Sequence, residues 1–169
     1  EQVDSILNQE NCDVHLLIRD DGSKDETIKI LDKYSSQDSR VSWYTGENLR
    51  SAKSFMHLLI HCEKIYDYYA FADQDDVWDI DKLNVAIGIL EQQAGPALYC
   101  SNSMLVNEEL QGSGQYLYKH VPNFTFSRVL IAGQIQGATI VLNSEFANYF
   151  EHKAIPNYIP MHDYYVSAV

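Results

Sequence analysis

The chain has 169 residues, of which 46% are hydrophobic and 21% charged, enough to bury one core without disulfide or metal staples and unlike a disordered chain. Twelve Lys and Arg against 24 Asp and Glu leave a net charge of -12, which argues against a nucleic-acid surface and requires a bridging divalent cation for any phosphorylated ligand held by carboxylates. No apolar run approaches the ~20 residues of a membrane span, and the opening residues lack the basic-then-apolar order of a signal peptide.

In chain order, Val3, Ile6 and Leu7 stand at helical spacing, so an amphipathic helix opens the chain and the sequence is expected to begin inside a fold. Val14 to Ile18 (VHLLI) is a nearly continuous apolar run, as in a strand buried on both faces. It leads into Asp20-Asp21-Gly22. Ser23 and Glu26 then have capping-box spacing, with Ile28, Leu31 and Tyr34 on one helical face. Val41 to Tyr44 is expected as a second strand, and Ala52, Phe55, Met56, Leu59 and Ile60 as the inner face of a helix. Tyr68 to Ala72 (YYAFA) predicts a third strand running into Asp73-Gln74-Asp75-Asp76. Leu83, Ile87 and Leu90 mark a helix that Gly95-Pro96 ends, and Ala97 to Cys100 a fourth strand.

Beyond that point the pattern loosens. Gly112 and Gly114 predict a turn, Tyr116 to Pro122 an aromatic irregular stretch, and Phe126 to Ala132 a short helix. Ala138 to Leu142 predicts a strand, Asn143-Ser144 a helix cap, and Asp163 to Val169 a last helix. Alternating strands and helices indicate one α/β layered domain over residues 1–169 around a central mixed, mostly parallel sheet. Ligands bind such sheets at the carboxyl ends of the strands. Two of the expected strands end there on carboxylates, at Asp20-Asp21 and at Asp73 to Asp76.

Three carboxylates within four residues repel one another, and a divalent cation turns that repulsion into attraction; Mg²⁺ or Mn²⁺ suits hard oxygen ligands. The plain alternative is a solvated acidic turn capping the next helix. A calcium loop of the EF-hand type fails, because Val77, Trp78 and Asn84 occupy positions that need a ligand, a glycine and a bidentate glutamate. Asp20-Asp21-Gly22-Ser23 reads either as an acidic helix start or as a carboxylate for a nucleobase imide N–H. His57 and His61 have zinc-pair spacing, but Leu58 stands where a metalloprotease has its glutamate, so surface or half-buried histidines are the better reading. Cys12, Cys62 and Cys100 are odd in number and widely spaced, as buried free thiols in a reducing compartment would be.

Six stretches in series carry a resemblance: EQVDSILNQ, IRDDGSKDET, NLRSAKSF, FADQDDVW, QGATIVLN and MHDYY. Together they resemble the inverting family-two glycosyltransferases, particularly the rhamnosyltransferase-like enzymes of bacterial polysaccharide synthesis. The resemblance implies a three-layer nucleotide-diphospho-sugar transferase (GT-A-like) fold. It implies that Asp21, with Asp20, contacts the nucleobase and that Asn48 and Lys53 line the nucleotide pocket. Asp73 and Asp75 match the Asp-x-Asp that holds Mg²⁺ or Mn²⁺ and the nucleotide, Asp75 as the direct metal ligand. Asp163 matches the catalytic base. Asp76, Trp78, Gln136, Gly137, Ala138 and His162 would line the donor and acceptor pocket.

The implied partners are a nucleotide-sugar donor, dTDP-rhamnose or a UDP-hexose, and a saccharide or lipid-linked acceptor. The implied place is the cytoplasm, with the full protein peripheral to the inner face of the cell membrane. Arg50 departs from the glycine usual after Asn-Leu, and Tyr164-Tyr165 from the usual tryptophans. The family's N-terminal strand and C-terminal helices are not matched, so a fragment of a longer protein is expected. The rival readings are an inert nucleotide-binding module and a Mg²⁺-dependent phosphohydrolase, although the aspartyl nucleophile, lysine and Ser/Thr set of the latter does not assemble.

Overall fold

A computed structural model describes residues 1–122, 125, 128 and 135–169. Helix α1 (Gln2–Leu7) is followed by β1 (Leu16–Asp20), α2 (Thr27–Gln37), β2 (Val41–Thr45), α3 (Ser51–His61), β3 (Tyr68–Ala70) and α4 (Lys82–Leu90). Then come β4 (Leu98–Tyr99), β5 (Met104–Val106), β6 (Gly112–Tyr116), a 3-10 turn (Gly137–Thr139), β7 (Val141–Asn143), α5 (Ser144–Asn148) and α6 (His162–Ser167). The helix expected over residues 126–132 lies, Arg128 apart, outside the described residues. Among the described residues no helix is long and apolar enough to cross a membrane.

β1 and β2 pair in parallel, Leu16 opposite Val41 through Asp20 opposite Thr45. A second sheet has the order β3-β7-β4, with β7 antiparallel to both neighbours. β5 and β6 form a separate antiparallel hairpin. The domain is therefore α/β with parallel and antiparallel ladders, and a central, mostly parallel sheet is not confirmed by these pairings. The strand–helix alternation predicts parallel neighbours for β3 and β4, but the later β7 inserts between them in the opposite direction.

β7 shows how the layers form. Ile140 just before the strand and Leu142 within it face a core of Met56 and Leu59 from α3, Ala147 from α5 and Val166 from α6. Val141 points the other way, against Ala86 and Leu90 of α4. All three residues are essentially inaccessible. Side chains alternate across a strand, so this one segment is coated by helices on both faces. At roughly 25 cal/mol per Å² of apolar surface removed from water, double coverage makes it the best-anchored strand of the sheet.

Three local expectations need correction. Gly112 and Gly114 lie within β6; the turn falls at residues 107–110, where the Leu110 amide donates to the Asn107 carbonyl. The capping box at Ser23 does not form, because α2 starts at Thr27 and the Ser23 amide instead donates to the Asp20 carboxylate. The strand expected from Ala138 begins only at Val141, after the 3-10 turn.

Arg50, at the start of α3, has φ 64° and ψ 157°. That region suits glycine and costs any other residue of order 1–3 kcal/mol. Replacing Arg50 with glycine is expected to raise unfolding stability by about 1 kcal/mol despite the greater freedom of the unfolded chain, read as a higher urea midpoint. An unchanged or lower midpoint would contradict the strain.

Candidate functional site

The acidic run lies in the loop after β3, and α1 holds that loop from the side. Gln2 donates through its amide to the Asp73 carbonyl at 2.9 Å, and the Trp78 amide donates to Ser5 Oγ at 3.0 Å. Gln9, buried, donates to the Asp79 carbonyl at 2.7 Å and accepts from the Leu83 amide at 2.9 Å. Ile6, Val14 and Trp78 close a small apolar cluster beneath these bonds. Two polar side chains of α1 and Gln9 just beyond its end therefore fix the backbone of a loop whose own charges would open it.

Asp73 and Asp76 are half-buried and Asp75 is exposed. Burial first, then the charges of Asp76, Asp75 and Asp163, push the Asp73 carboxyl above its usual range. Burial and the neighbouring Asp75 do the same to Asp76. Lys82, at the first position of α4, sits among them. Its ammonium donates to the Ala138 carbonyl at 2.6 Å and lies 3.5 Å from the centre of the Trp78 ring. Burial lowers it to about 7, against the opposing charges of Asp76, Asp73 and Asp79.

The turn after β1 forms a second carboxylate site. Asp20 is 5% exposed, and its two oxygens accept the amides of Gly22 and Ser23. Hydrogen bonding from Ser23 holds its carboxyl below the usual range in spite of burial. Asp21 takes Arg19 on one oxygen and the Ser54 hydroxyl on the other. The buried Arg19 guanidinium also donates to the Glu47 carbonyl at 2.6 Å. Gly46 permits this, since a Cβ there would meet the guanidinium. Asn48 is exposed and accepts the Arg50 amide on Oδ1 at 3.0 Å, while Lys53 is half-buried on α3.

The third group comes from the far end of the chain. His162 and Asp163 open α6, and Asp163 Oδ1 accepts the Tyr164 amide at 2.6 Å. His162 is 1% exposed, stacks on Phe55 at 4.0 Å and meets Phe71 edge-on at 5.0 Å. Neither ring nitrogen has a hydrogen-bond partner among the described residues. A Cβ on Gly137 would come within 2.2 Å of His162 Nε2, so only glycine lets the 3-10 turn approach the ring. Gln136 accepts the Ser103 hydroxyl at 2.5 Å.

Residues 1–136 match the family model described as glycosyl transferase family 2. The chain belongs to that family. It is 35% identical over 94 residues to a dTDP-rhamnosyl transferase RfbG of Shigella flexneri, covering 53% of this chain and 32% of that protein. It is 25% identical over 165 residues to an Escherichia coli UDP-Glc:alpha-D-GlcNAc-diphosphoundecaprenol beta-1,3-glucosyltransferase WfgD, covering 97% of this chain and 60% of that one. A putative teichuronic acid biosynthesis glycosyltransferase TuaG of Bacillus subtilis is 27% identical over 145 residues, 85% of this chain and 56% of its own. The chain thus spans between about a third and three fifths of the length of these relatives.

Family-two glycosyltransferases generally use a divalent metal. Among the described residues no three His, Cys, Asp or Glu side chains converge as a complete cage. The acidic loop instead offers one or two carboxylates, raised by burial and then by their neighbours' charges, which fits a cation that takes its remaining ligands from phosphate and water. The tertiary structure brings Asp73, Asp76, Trp78, Ala138 and, through its charge, Asp163 to one place. Asp20, Asp21, Asn48 and Lys53 gather instead around the β1 turn and the start of α3. His57 and His61 pair with each other instead: His57 Nδ1 meets the Tyr44 hydroxyl, and the two rings stack at 4.1 Å.

Two residues of the site escaped the sequence reading. Arg19 stands inside the quoted IRDDGS stretch, and an arginine within an apolar strand was the available signal. Lys82 looked like an ordinary first-turn lysine, with no local mark of its burial.

The His162 ring is neutral in the fold, lowered mainly by burial to about 4. The unfolded chain, with its histidine near 6.5, binds more protons between these values, so folding stability rises with pH across that window and is lost as pH falls from about 6.5 towards 4. The pH slope of the unfolding midpoint between about 6.5 and 4 should flatten in His162→Phe relative to the parent. Identical slopes would contradict a buried neutral imidazole.

Proposed function

We propose that the chain is the donor-binding part of the catalytic domain of an inverting glycosyltransferase. The observation that carries this reading is the acidic loop after β3, on whose Asp73 the Asp163 charge of α6 acts, beside a second carboxylate group at the β1 turn, on one family-two framework. The fold reading that supports it joins the two main ladders into the central sheet of a three-layer nucleotide-sugar transferase, with residues 1–169 as one domain. The donor is dTDP-rhamnose or a UDP-hexose and the acceptor a saccharide or lipid-linked sugar of bacterial polysaccharide synthesis, as the names of the relatives suggest. A cytoplasmic enzyme, peripheral to the inner face of the membrane, fits such substrates.

In this reading Asp21 faces the nucleobase. Asp20, whose oxygens are spent on amides, builds the turn that presents it. Asn48 and Lys53 flank the nucleotide. Asp73 and Asp75 hold the Mg²⁺ or Mn²⁺, which when bound supplies Lewis-acid neutralisation of charge on the departing nucleoside diphosphate. Lys82 orients the site, tying the 3-10 turn at Ala138 to the Trp78 face. Asp76, Trp78, Gln136, Gly137, Ala138 and His162 shape the pocket. His162 offers an apolar ring wall rather than a proton. Asp163 accepts the proton of the acceptor hydroxyl as that oxygen attacks the anomeric carbon. Lys82 does not rescue the phosphohydrolase reading, because its ammonium is already committed to the Ala138 carbonyl and the indole.

Calorimetry with dTDP and UDP tests the donor site: binding should need Mn²⁺ and disappear in EDTA, and Asp75→Asn should weaken it by about ten-fold or more. No nucleotide binding in Mn²⁺ would favour the inert module. Asp163→Asn should keep nucleotide and metal binding and lose a factor of ~10²–10⁴ in transfer rate. Transfer at the parent rate would remove Asp163 as the base.

A further inference from the structure

Arg19 is a buried cation with no part in the acidic loop or in the proton transfer. Side chains at i and i+2 of a strand share a face, so Arg19 near the end of β1 lies on the same side as Asp21. Its side chain is 3% exposed, and an arginine is almost never that buried unless it is paired. Nη1 donates to Asp21 Oδ1 and, at 3.0 Å, to Ser54 Oγ, while Nη2 donates to the Glu47 carbonyl at 2.6 Å. Ser54 in turn donates to the second Asp21 oxygen. One guanidinium therefore joins three segments remote in sequence: the β1 turn, the stretch after β2 and the first turn of α3.

Each partner coincides with or adjoins a residue read above as a nucleotide contact. Asp21 is itself one, the Glu47 carbonyl belongs to the peptide that leads into Asn48, and Ser54 follows Lys53 on α3. The backbone is shaped for the tie. Gly46 lies against the guanidinium, and a side chain there would push it off the Glu47 carbonyl. The choice of cation matters as well. A planar fork donates in several fixed directions at once, whereas an ammonium is a compact point charge on a flexible stem.

We propose that Arg19 is a positioning residue for the nucleotide. Buried as it is, it touches no ligand, and it sets the mutual placement of Asp21, Asn48 and Lys53 by tying together the segments that carry them. The inference rests on the reading of those three residues as nucleotide contacts and adds the group that arranges them. The tie lies wholly at the β1 turn and the start of α3. Its loss is therefore felt at the nucleoside end of the donor and not at the metal-held diphosphate end.

The test is calorimetry in Mn²⁺ that compares UDP and dTDP with inorganic pyrophosphate, which the acidic loop and its metal can hold without any base contact. The parent should bind a nucleoside diphosphate more tightly than pyrophosphate. Arg19→Lys keeps the charge and should weaken the nucleotide by roughly ten-fold or more while leaving pyrophosphate unchanged. Ser54→Ala removes one tie and should weaken the nucleotide by about two- to ten-fold, again sparing pyrophosphate. It leaves the guanidinium in place and carries the test where Arg19→Lys does not fold. Equal losses for nucleotide and pyrophosphate mean a general loosening of the fold and overturn the inference. So does an unchanged preference for the nucleotide in both variants, which leaves the donor reading standing. A parent that binds nucleotide and pyrophosphate alike overturns the nucleotide reading itself, and the inference with it.

Discussion

The acidic loop stays closed because α1 holds its backbone while its side chains repel. Gln2, Ser5 and Gln9 each form a hydrogen bond to that loop, at Asp73, Trp78 and Asp79, and Gln9 reaches on to the start of α4. A carboxylate cluster at the end of a short strand is costly in an acidic chain, since each charge disfavours its neighbours. The bonds from α1 leave the backbone no room to relieve that cost by moving. What remains is a concentrated negative site, ready for a cation to neutralise.

Lys82 completes the same constraint from the other side. The half-buried side chain sets its ammonium between the indole of Trp78 and the carbonyl of Ala138. The lysine thus joins the acidic loop to the 3-10 turn, and that turn leads into β7, the most enclosed strand. Gly137 lets the turn press on His162, and His162 opens the helix that carries Asp163. A continuous set of contacts therefore runs from the N-terminal helix to the last one. Through it, residues some 90 positions apart in the chain influence one another's charge.

The β1 turn follows a different logic. Asp20 and Asp21 are adjacent, yet the fold gives them opposite tasks. Asp20 faces inward and is consumed by the amides of Gly22 and Ser23. Asp21 faces the buried Arg19 and Ser54, which hold it in one orientation. Alternation along the strand end accounts for the split, and it could not be assigned from a pair of identical letters.

Much of this molecule was legible in its residues. Apolar runs and helical spacing located β1, β2, α3, β3 and α4 within a few residues, because each buries a face whose period is visible locally. The acidic run announced itself by an improbable density of like charge, and the six quoted stretches pointed to the family. Other features depend on partners far away in the chain and left no local mark. The antiparallel insertion of β7 between β3 and β4 is a choice of neighbour, the burial of Lys82 is a property of what packs over it, and the neutral His162 ring follows from Phe55, Phe71 and Gly137 closing around it. Sequence alone determined which chemical groups this protein has at its strand ends. Tertiary structure decided which of them meet and in what state of charge, because desolvation and pairing are set by atoms brought together only when the chain folds.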